Sequence, residues 1–125
     1  MKYVALVYYQ ERLIDAMTEQ DWQALNQECV AGVERLTGQG HFLAGQALQP
    51  VESATCVQVR DGEVLLSDGP FAETKEQLAG FYLLDARDLN EALRLAGRIP
   101  PVRFGTIEVR PVRELPPRDD RGETS

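Results

Sequence analysis

Asp68 is the residue in this chain best placed for acid or base chemistry. It heads the run Asp68-Gly69-Pro70 directly after a predicted strand. A carboxylate there could enter a cleft as general base, general acid or hydrogen-bond acceptor for a ligand. The alternative is structural, because Asp, Gly and Pro in sequence form turns in which the aspartate accepts backbone N–H bonds. We expect Gly69 and Pro70 to shape the backbone beside a ligand. Phe71 could stack on that ligand, and packing in the core or a subunit interface is the alternative that we favour.

His41 is the second candidate for catalysis. Its imidazole is the only side chain in the chain whose unperturbed pKa is near neutrality, and it follows Gly40 in a helix-to-strand turn. It could act as a proton shuttle if it reaches a cleft. The alternative is an exposed histidine without a catalytic role, since no carboxylate at a fixed spacing is available to orient it.

Phenol groups form a third set of candidates. Four tyrosines lie on two strands expected to be central: Tyr3, Tyr8, Tyr9 and Tyr82. One or more of their hydroxyls, with Tyr8 and Tyr82 as the chosen candidates, could orient a carbonyl or lactone in an apolar pocket. Packing in the core or at an interface is the alternative. Trp22 is expected in the core, and Cys29 and Cys56 are interpreted as small buried hydrophobic residues rather than nucleophiles.

The composition excludes several classes of function. Thirteen Lys and Arg residues stand against 20 Asp and Glu, which gives a net charge of −7 without a basic patch for nucleic acid or an anionic membrane. No phosphate-binding loop or metal-ligand spacing is present, so no metal or other cofactor is expected. Two cysteines and an amino end without a basic, cleavable leader favour a reducing, cytoplasmic location.

The elements that must position these residues follow from hydrophobic spacing. Thr18 and Asp88 each precede an acidic residue by three positions, which marks the starts of two helices. Asp61-Gly62 is the dipeptide best suited to a two-residue type I′ hairpin turn. We predict helices over 19–37 and 89–97, and strands at 2–10, 42–48, 53–60, 63–67, 79–85 and 106–112.

This order predicts a ferredoxin-like α+β domain, βαββαβ with an inserted β-hairpin, in which two helices cover one face of an antiparallel sheet. The domain should span 1–113, followed by a flexible acidic tail at 114–125. Because the first strand from Tyr3 to Tyr8 has no clearly polar side, the other sheet face should pack against a second copy. A homodimer is therefore expected.

A fifteen-residue block carries a family resemblance. The sequence DGPFAETKEQLAGFY at 68–82 closely resembles the DGPF subgroup of the YCII-related family. The opening Met1-Lys2-Tyr3, the Arg60-Asp61-Gly62 turn and the closing 107–112 stretch are similar to the same family, so the resemblance covers about 1–113. It implies a dimeric α+β barrel of ferredoxin-like subunits.

The resemblance also implies two kinds of function. Some relatives process lactones or remove chloride with a proposed His and Asp pair, which suggests an enzyme or ligand-binding protein with a cleft beside the DGPF motif. The histidine of that pair lies in the first helix, and Thr18 to Thr37 contains no histidine, so the pair is not carried over. The alternative is a non-enzymatic accessory protein associated with an extracytoplasmic-function sigma factor.

Overall fold

The computed structural model describes residues 1–116 and shows an α+β fold. The strands are β1 (Lys2–Tyr9), β2 (Phe42–Ala47), β3 (Thr55–Arg60), β4 (Glu63–Asp68), β5 (Gln77–Asp85) and β6 (Thr106–Pro111). The helices are α1 (Glu11–Asp15), α2 (Glu19–Gly38) and α3 (Leu89–Ala96), with short 3₁₀ turns at Val51–Ser53 and Pro100–Arg103. Most of the predicted tail, 117–125, lies outside the described residues.

The sheet topology agrees with the ferredoxin-like prediction. Four strands form an antiparallel sheet in the order β2-β5-β1-β6, so the two central strands are β1 and β5. The inserted strands β3 and β4 form a separate two-stranded sheet. In residues 1–116 no helix combines the length and apolar character needed to cross a bilayer.

Two predicted helix starts are confirmed by their caps. Thr18 Oγ1 accepts a hydrogen bond of 3.1 Å from the Asp21 amide at the start of α2. Asp88 Oδ1 accepts one of 2.9 Å from the Glu91 amide at the start of α3. Each side chain satisfies an amide that has no partner inside the helix.

Helix α1 was not predicted, because the signals that hold it are not local. Its first residue, Glu11, donates its amide to Gln77 Oε1 at 2.9 Å, and its carboxylate accepts from the Val51 amide at 2.9 Å. Both partners lie far along the chain. The Gln10 side chain makes no capping bond, so the local sequence carries no start signal.

The β3–β4 hairpin has the predicted type I′ turn. Asp61 has a φ of 52° and Gly62 a φ of 79°, the two left-handed conformations that this turn requires. The four aliphatic residues on one face of the hairpin are all more than half exposed: Val57, Val59, Val64 and Leu66. A hairpin of two strands has no core of its own, so this face remains apolar surface in the single chain.

The hydrophobic core lies on one face of the four-stranded sheet. Alternate residues of β1 point into it, with Tyr3 2% and Ala5 0% exposed, and they pack against residues of α2 and α3. The expectation that Trp22 lies in the core was wrong, because Trp22 is 37% exposed. Phe71 is 84% exposed and does not pack in the core, so packing at a subunit interface or against a ligand stays a prediction for it.

Candidate functional site

A cavity of about 400 Å³ lies between α2 and the helix-facing side of the sheet. This volume is within the range of pockets that bind small molecules. Helix α2 contributes Trp22, Leu25, Asn26, Cys29, Val30, Val33 and Glu34. The sheet contributes Val7, Tyr9, Phe42, Gly45, Gln46, Ala47, Ala79, Gly80, Phe81 and Tyr82. The segment after α3 contributes Ile99 and Pro101.

Small residues on β2 and β5 form the floor of this cavity. Gly45 lies opposite Tyr82 and Ala47 lies opposite Gly80, so these two strands have little side-chain volume below α2. A Cβ at Gly45 would lie 2.8 Å from the Phe81 carbonyl oxygen, and one at Gly80 would lie 2.8 Å from the Gln46 carbonyl oxygen. The close approach of the two strands therefore requires glycine at both positions and leaves the cavity open.

Two phenols and one thiol supply weak polar groups to the apolar cavity. Burial, with a smaller contribution from nearby Cys29, raises the pKa of Tyr82 to about 12. Burial also raises the pKa of Tyr9, with smaller contributions from Glu11 and Cys29, and that of Cys29 itself. All three groups are consequently protonated and uncharged near neutral pH.

The rings of both tyrosines are fixed by aromatic contacts. The Tyr82 ring meets Phe42 edge to face with centroids 5.9 Å apart, and the Tyr9 ring lies 5.7 Å from that of Phe104. Such contacts restrict the rotamers of the phenols. Neither hydroxyl has a hydrogen-bond partner in residues 1–116. Every fully buried side-chain nitrogen or oxygen in these residues does have one, so the two hydroxyls are not fully buried.

Asp68 lies at the end of β4 and does not line the cavity. It pairs with Thr55 in the hairpin, is exposed, and makes no side-chain hydrogen bond in the described part of the chain. Gly69 has a φ of 94°, as the predicted backbone role requires, and its amide donates to the Ala54 carbonyl at 2.7 Å. Gly69, Pro70 and Phe71 are also absent from the cavity lining.

The second half of the DGPF block anchors neighbouring elements. Gln77 Nε2 donates to the Thr74 carbonyl at 2.7 Å, while its Oε1 accepts from the Glu11 amide. Glu76 Oε1 accepts from the Thr106 hydroxyl at 2.7 Å. These bonds join the start of β5 and the residue before it to α1 and β6.

His41 lies just before β2 and outside the cavity lining. Its Nδ1 is 2.8 Å from the Asp85 carbonyl oxygen, and its backbone bonds to Leu36 and Asp85 hold it at that end of the sheet. A donating Nδ1–H makes Nε2 the acceptor nitrogen of a neutral ring. The structure does not bring His41 and Asp68 together in the cavity.

The predicted phenols Tyr8 and Tyr82 lie on opposite faces of the sheet. Tyr82 pairs with Ala5 on the helix-facing side, whereas Tyr8 pairs with Leu78 and Thr106 on the other side. Of the four candidate tyrosines, Tyr9 and Tyr82 line the cavity. Tyr9 follows Tyr8 on β1, and it lies on the cavity side of the sheet because successive residues of a strand point to opposite faces.

Sequence reasoning did not assign a site role to Cys29 or to the two floor glycines. Cys29 was interpreted as a small buried hydrophobic residue, and it is half-buried at the cavity wall. Gly45 and Ala47 occupy alternate positions of one strand, and alternate residues share a face of the sheet. This pattern could have predicted the small side-chain volume below α2. Within residues 1–116, no group of three or more His, Cys, Asp or Glu side chains could hold a metal ion.

The chain is similar to a known domain family and to a known protein. The family model of the YCII-related domain matches residues 1–116. An uncharacterised protein of Rhizobium meliloti (strain 1021) is 34% identical over 114 residues, which cover 90% of this chain and 92% of that protein.

Proposed function

Since the chain belongs to the YCII-related domain family, we propose that it is a small-molecule-binding protein whose ligand occupies the cavity between α2 and the sheet. The cavity itself is the observation that supports this most directly. It is large enough for a small organic molecule, mainly apolar, and furnished with a few polar groups, as ligand sites are. A lactone-like ligand is the finer proposal, and turnover of that ligand would make the protein an enzyme.

A cavity-filling variant tests this function. Val33 is a half-buried cavity residue of α2, so Val33→Phe places a ring in the cavity without interrupting the helix. The matched control is Ala31→Phe, because Ala31 is exposed on α2 and does not line the cavity. Small molecules that bind the wild type by saturation-transfer NMR should lose binding in Val33→Phe and keep it in Ala31→Phe. Equal binding to both variants would refute the cavity as the ligand site.

A homodimer is part of the proposal. On the sheet face away from the helices, Val4, Leu6, Phe81 and Leu83 are only partly buried and form an apolar surface at the centre of the sheet. A contiguous exposed apolar surface marks an interaction site, and face-to-face packing of two sheets would bury this one. Thr106, Glu108 and Arg110 provide a more polar margin along β6 on the same face.

The apolar face of the β3–β4 hairpin favours a second candidate function, that of an accessory protein bound to a sigma factor. Val57 and Leu66 are paired across this face and are 65% and 69% exposed. Co-expression with extracytoplasmic-function sigma factors of the host would test it, with Leu66→Lys as the interface variant. Gln58→Lys on the opposite hairpin face is the control. A sigma factor that binds all three proteins equally, or none of them, contradicts this candidate.

A further inference from the structure

We propose that Tyr9 and Tyr82 donate hydrogen bonds to the carbonyl oxygen of an uncharged, mainly apolar ligand, such as a cyclic ester or ketone, and that the cavity rejects carboxylates. This inference rests on the proposed function of the cavity as the ligand site. It adds the groups that recognise the carbonyl oxygen of the ligand and the exclusion of anionic ligands.

Hydrogen-bond donors are available on the sheet side of the cavity. Tyr9, on β1, and Tyr82, on β5, both line it, and Cys29 of α2 lines the same cavity. Neither phenol donates a hydrogen bond to another group in the described residues. A tyrosine hydroxyl in apolar surroundings gains most from an acceptor, and a carbonyl oxygen is an acceptor without a donor of its own.

The protonation of these groups suits a neutral acceptor. Desolvation raises the pKa of both tyrosines and of Cys29, so the phenols remain donors across the physiological range. Their fixed rings would hold the donors in place before the ligand arrives, which reduces the entropy lost on binding.

The charges around the cavity disfavour an anion. Glu34 is the only charged residue among the lining groups of residues 1–116, and the lining contains no Lys, Arg or His. The nearby guanidinium of Arg103 already binds both carboxylate oxygens of Glu28, at 3.1 and 2.7 Å. A carboxylate in this cavity would therefore lose its hydration without meeting a cation among the lining residues, since Arg35 and Arg98 line a separate, smaller cavity that also contacts Tyr82.

Three compounds with one carbon framework test separately whether the ligand needs a carbonyl oxygen and whether it must be uncharged. Dihydrocoumarin is a neutral lactone, chroman lacks only its carbonyl oxygen, and 3-(2-hydroxyphenyl)propanoate is the ring-opened anion. Their dissociation constants are measured by ligand-observed NMR for the wild type, Tyr82→Phe, Tyr9→Phe and Val33→Phe, and the same spectra verify that the lactone is intact. Tyr3→Phe is the control, because Tyr3 is a core residue of β1 outside the cavity lining.

The lactone should bind about five- to tenfold more tightly than chroman, and each cavity Tyr→Phe change should remove part of that difference. The anion should bind at least about tenfold more weakly than the lactone. Tyr3→Phe should leave all three constants unchanged. Any one of three results would overturn the inference. The first is equal binding of lactone and chroman, and the second is lactone binding that neither Tyr82→Phe nor Tyr9→Phe affects. The third is tight binding of the anion.

The failure of this inference is distinguishable from that of the proposed function. If Val33→Phe abolishes binding but the carbonyl and the phenols have no effect, the cavity is a ligand site of different specificity. If Val33→Phe binds the compounds like the wild type, both this inference and the proposed function are contradicted. If no compound binds up to its solubility limit, this inference alone is contradicted.

Discussion

Arg103 donates two hydrogen bonds to the carboxylate of Glu28, at 3.1 and 2.7 Å, and thereby joins the 3₁₀ turn Pro100–Arg103 to the middle of α2. Glu28 directly precedes Cys29, and Pro101 of the same turn also lines the cavity. This ion pair is therefore the polar contact that fixes α2 at one side of the cavity. Both side chains are at least half exposed, so solvent and salt weaken the pair.

The Glu28–Arg103 pair should make a pH-dependent contribution to stability. The hydrogen bond from Arg103 lowers the pKa of Glu28 below its ordinary value of 4.5. The contribution is thus present above the unfolded-state pKa and is lost as the pH falls through the lower folded-state pKa. Urea unfolding should show the wild type more stable than Glu28→Gln at pH 7, with the difference disappearing in acid. If the stability difference between the two proteins stays constant from pH 7 to below the folded-state pKa, the Glu28–Arg103 pair is not its source.

Gly45→Ala should destabilise the fold. The new methyl group would lie 2.8 Å from the Phe81 carbonyl oxygen and 3.1 Å from the Phe42 ring, so β2 must move away from β5. We expect a loss of about 1–3 kcal/mol in the free energy of unfolding, measured in urea. Gly38→Ala at the end of α2 is the control, because nothing lies within 4 Å of its new methyl group. It should be neutral or stabilising by about 0.5–1 kcal/mol.

Leu6→Arg should convert the proposed homodimer to a monomer. Leu6 pairs with Phe81 and Glu108 on the sheet face away from the helices, where the substituted side chain of each subunit would bring a positive charge into an apolar interface. Sedimentation equilibrium should give 14.0 kDa for the variant and twice that mass for the wild type. Gln27→Arg, on the exposed surface of α2, should leave the wild-type mass unchanged. A monomeric wild type at micromolar concentration would refute the dimer.

Asp68→Asn separates a chemical role from a structural one. Because Asp68 is exposed and its side chain makes no hydrogen bond within residues 1–116, the free energy of unfolding should change by less than about 0.5 kcal/mol. The predicted acid, base or ligand-binding role then requires that the same folded variant lose turnover or ligand binding. A large loss of stability would instead identify Asp68 as a residue needed by the turn.

Tyr82 should titrate abnormally in alkaline solution. Its folded-state pKa of about 12 lies above the ordinary value of 10.0, so the protonated phenol is favoured in the native state. The associated stability is fully present below pH 10 and is lost as the pH rises through about 12. A pH-jump absorbance titration of native protein should show that Tyr82→Phe removes a component near pH 12. Removal of a component near pH 10 would indicate a solvated phenol.

Local signals in the sequence were sufficient for most of the fold. Thr18 and Asp88 cap their helices within three residues, and Asp61-Gly62 closes a turn between adjacent strands, so short-range chemistry determines these elements. The order of the elements then leaves few topologies for a sheet with helices on one face, and the observed order β2-β5-β1-β6 is one of them. Helix α1 escaped prediction because its bonds come from residues 51 and 77.

The candidate site depended on tertiary structure. The sequence identified tyrosines on central strands, but only the register of the sheet decided that Tyr9 and Tyr82 face α2 while Tyr8 faces away. A cavity is the volume that packed elements leave unfilled, and here it arises where Gly45 and Gly80 meet a helix from another part of the chain. Local sequence patterns specify backbone conformation and side-chain alternation. The distance between α2 and the sheet is a property of the assembled core, which no single segment contains.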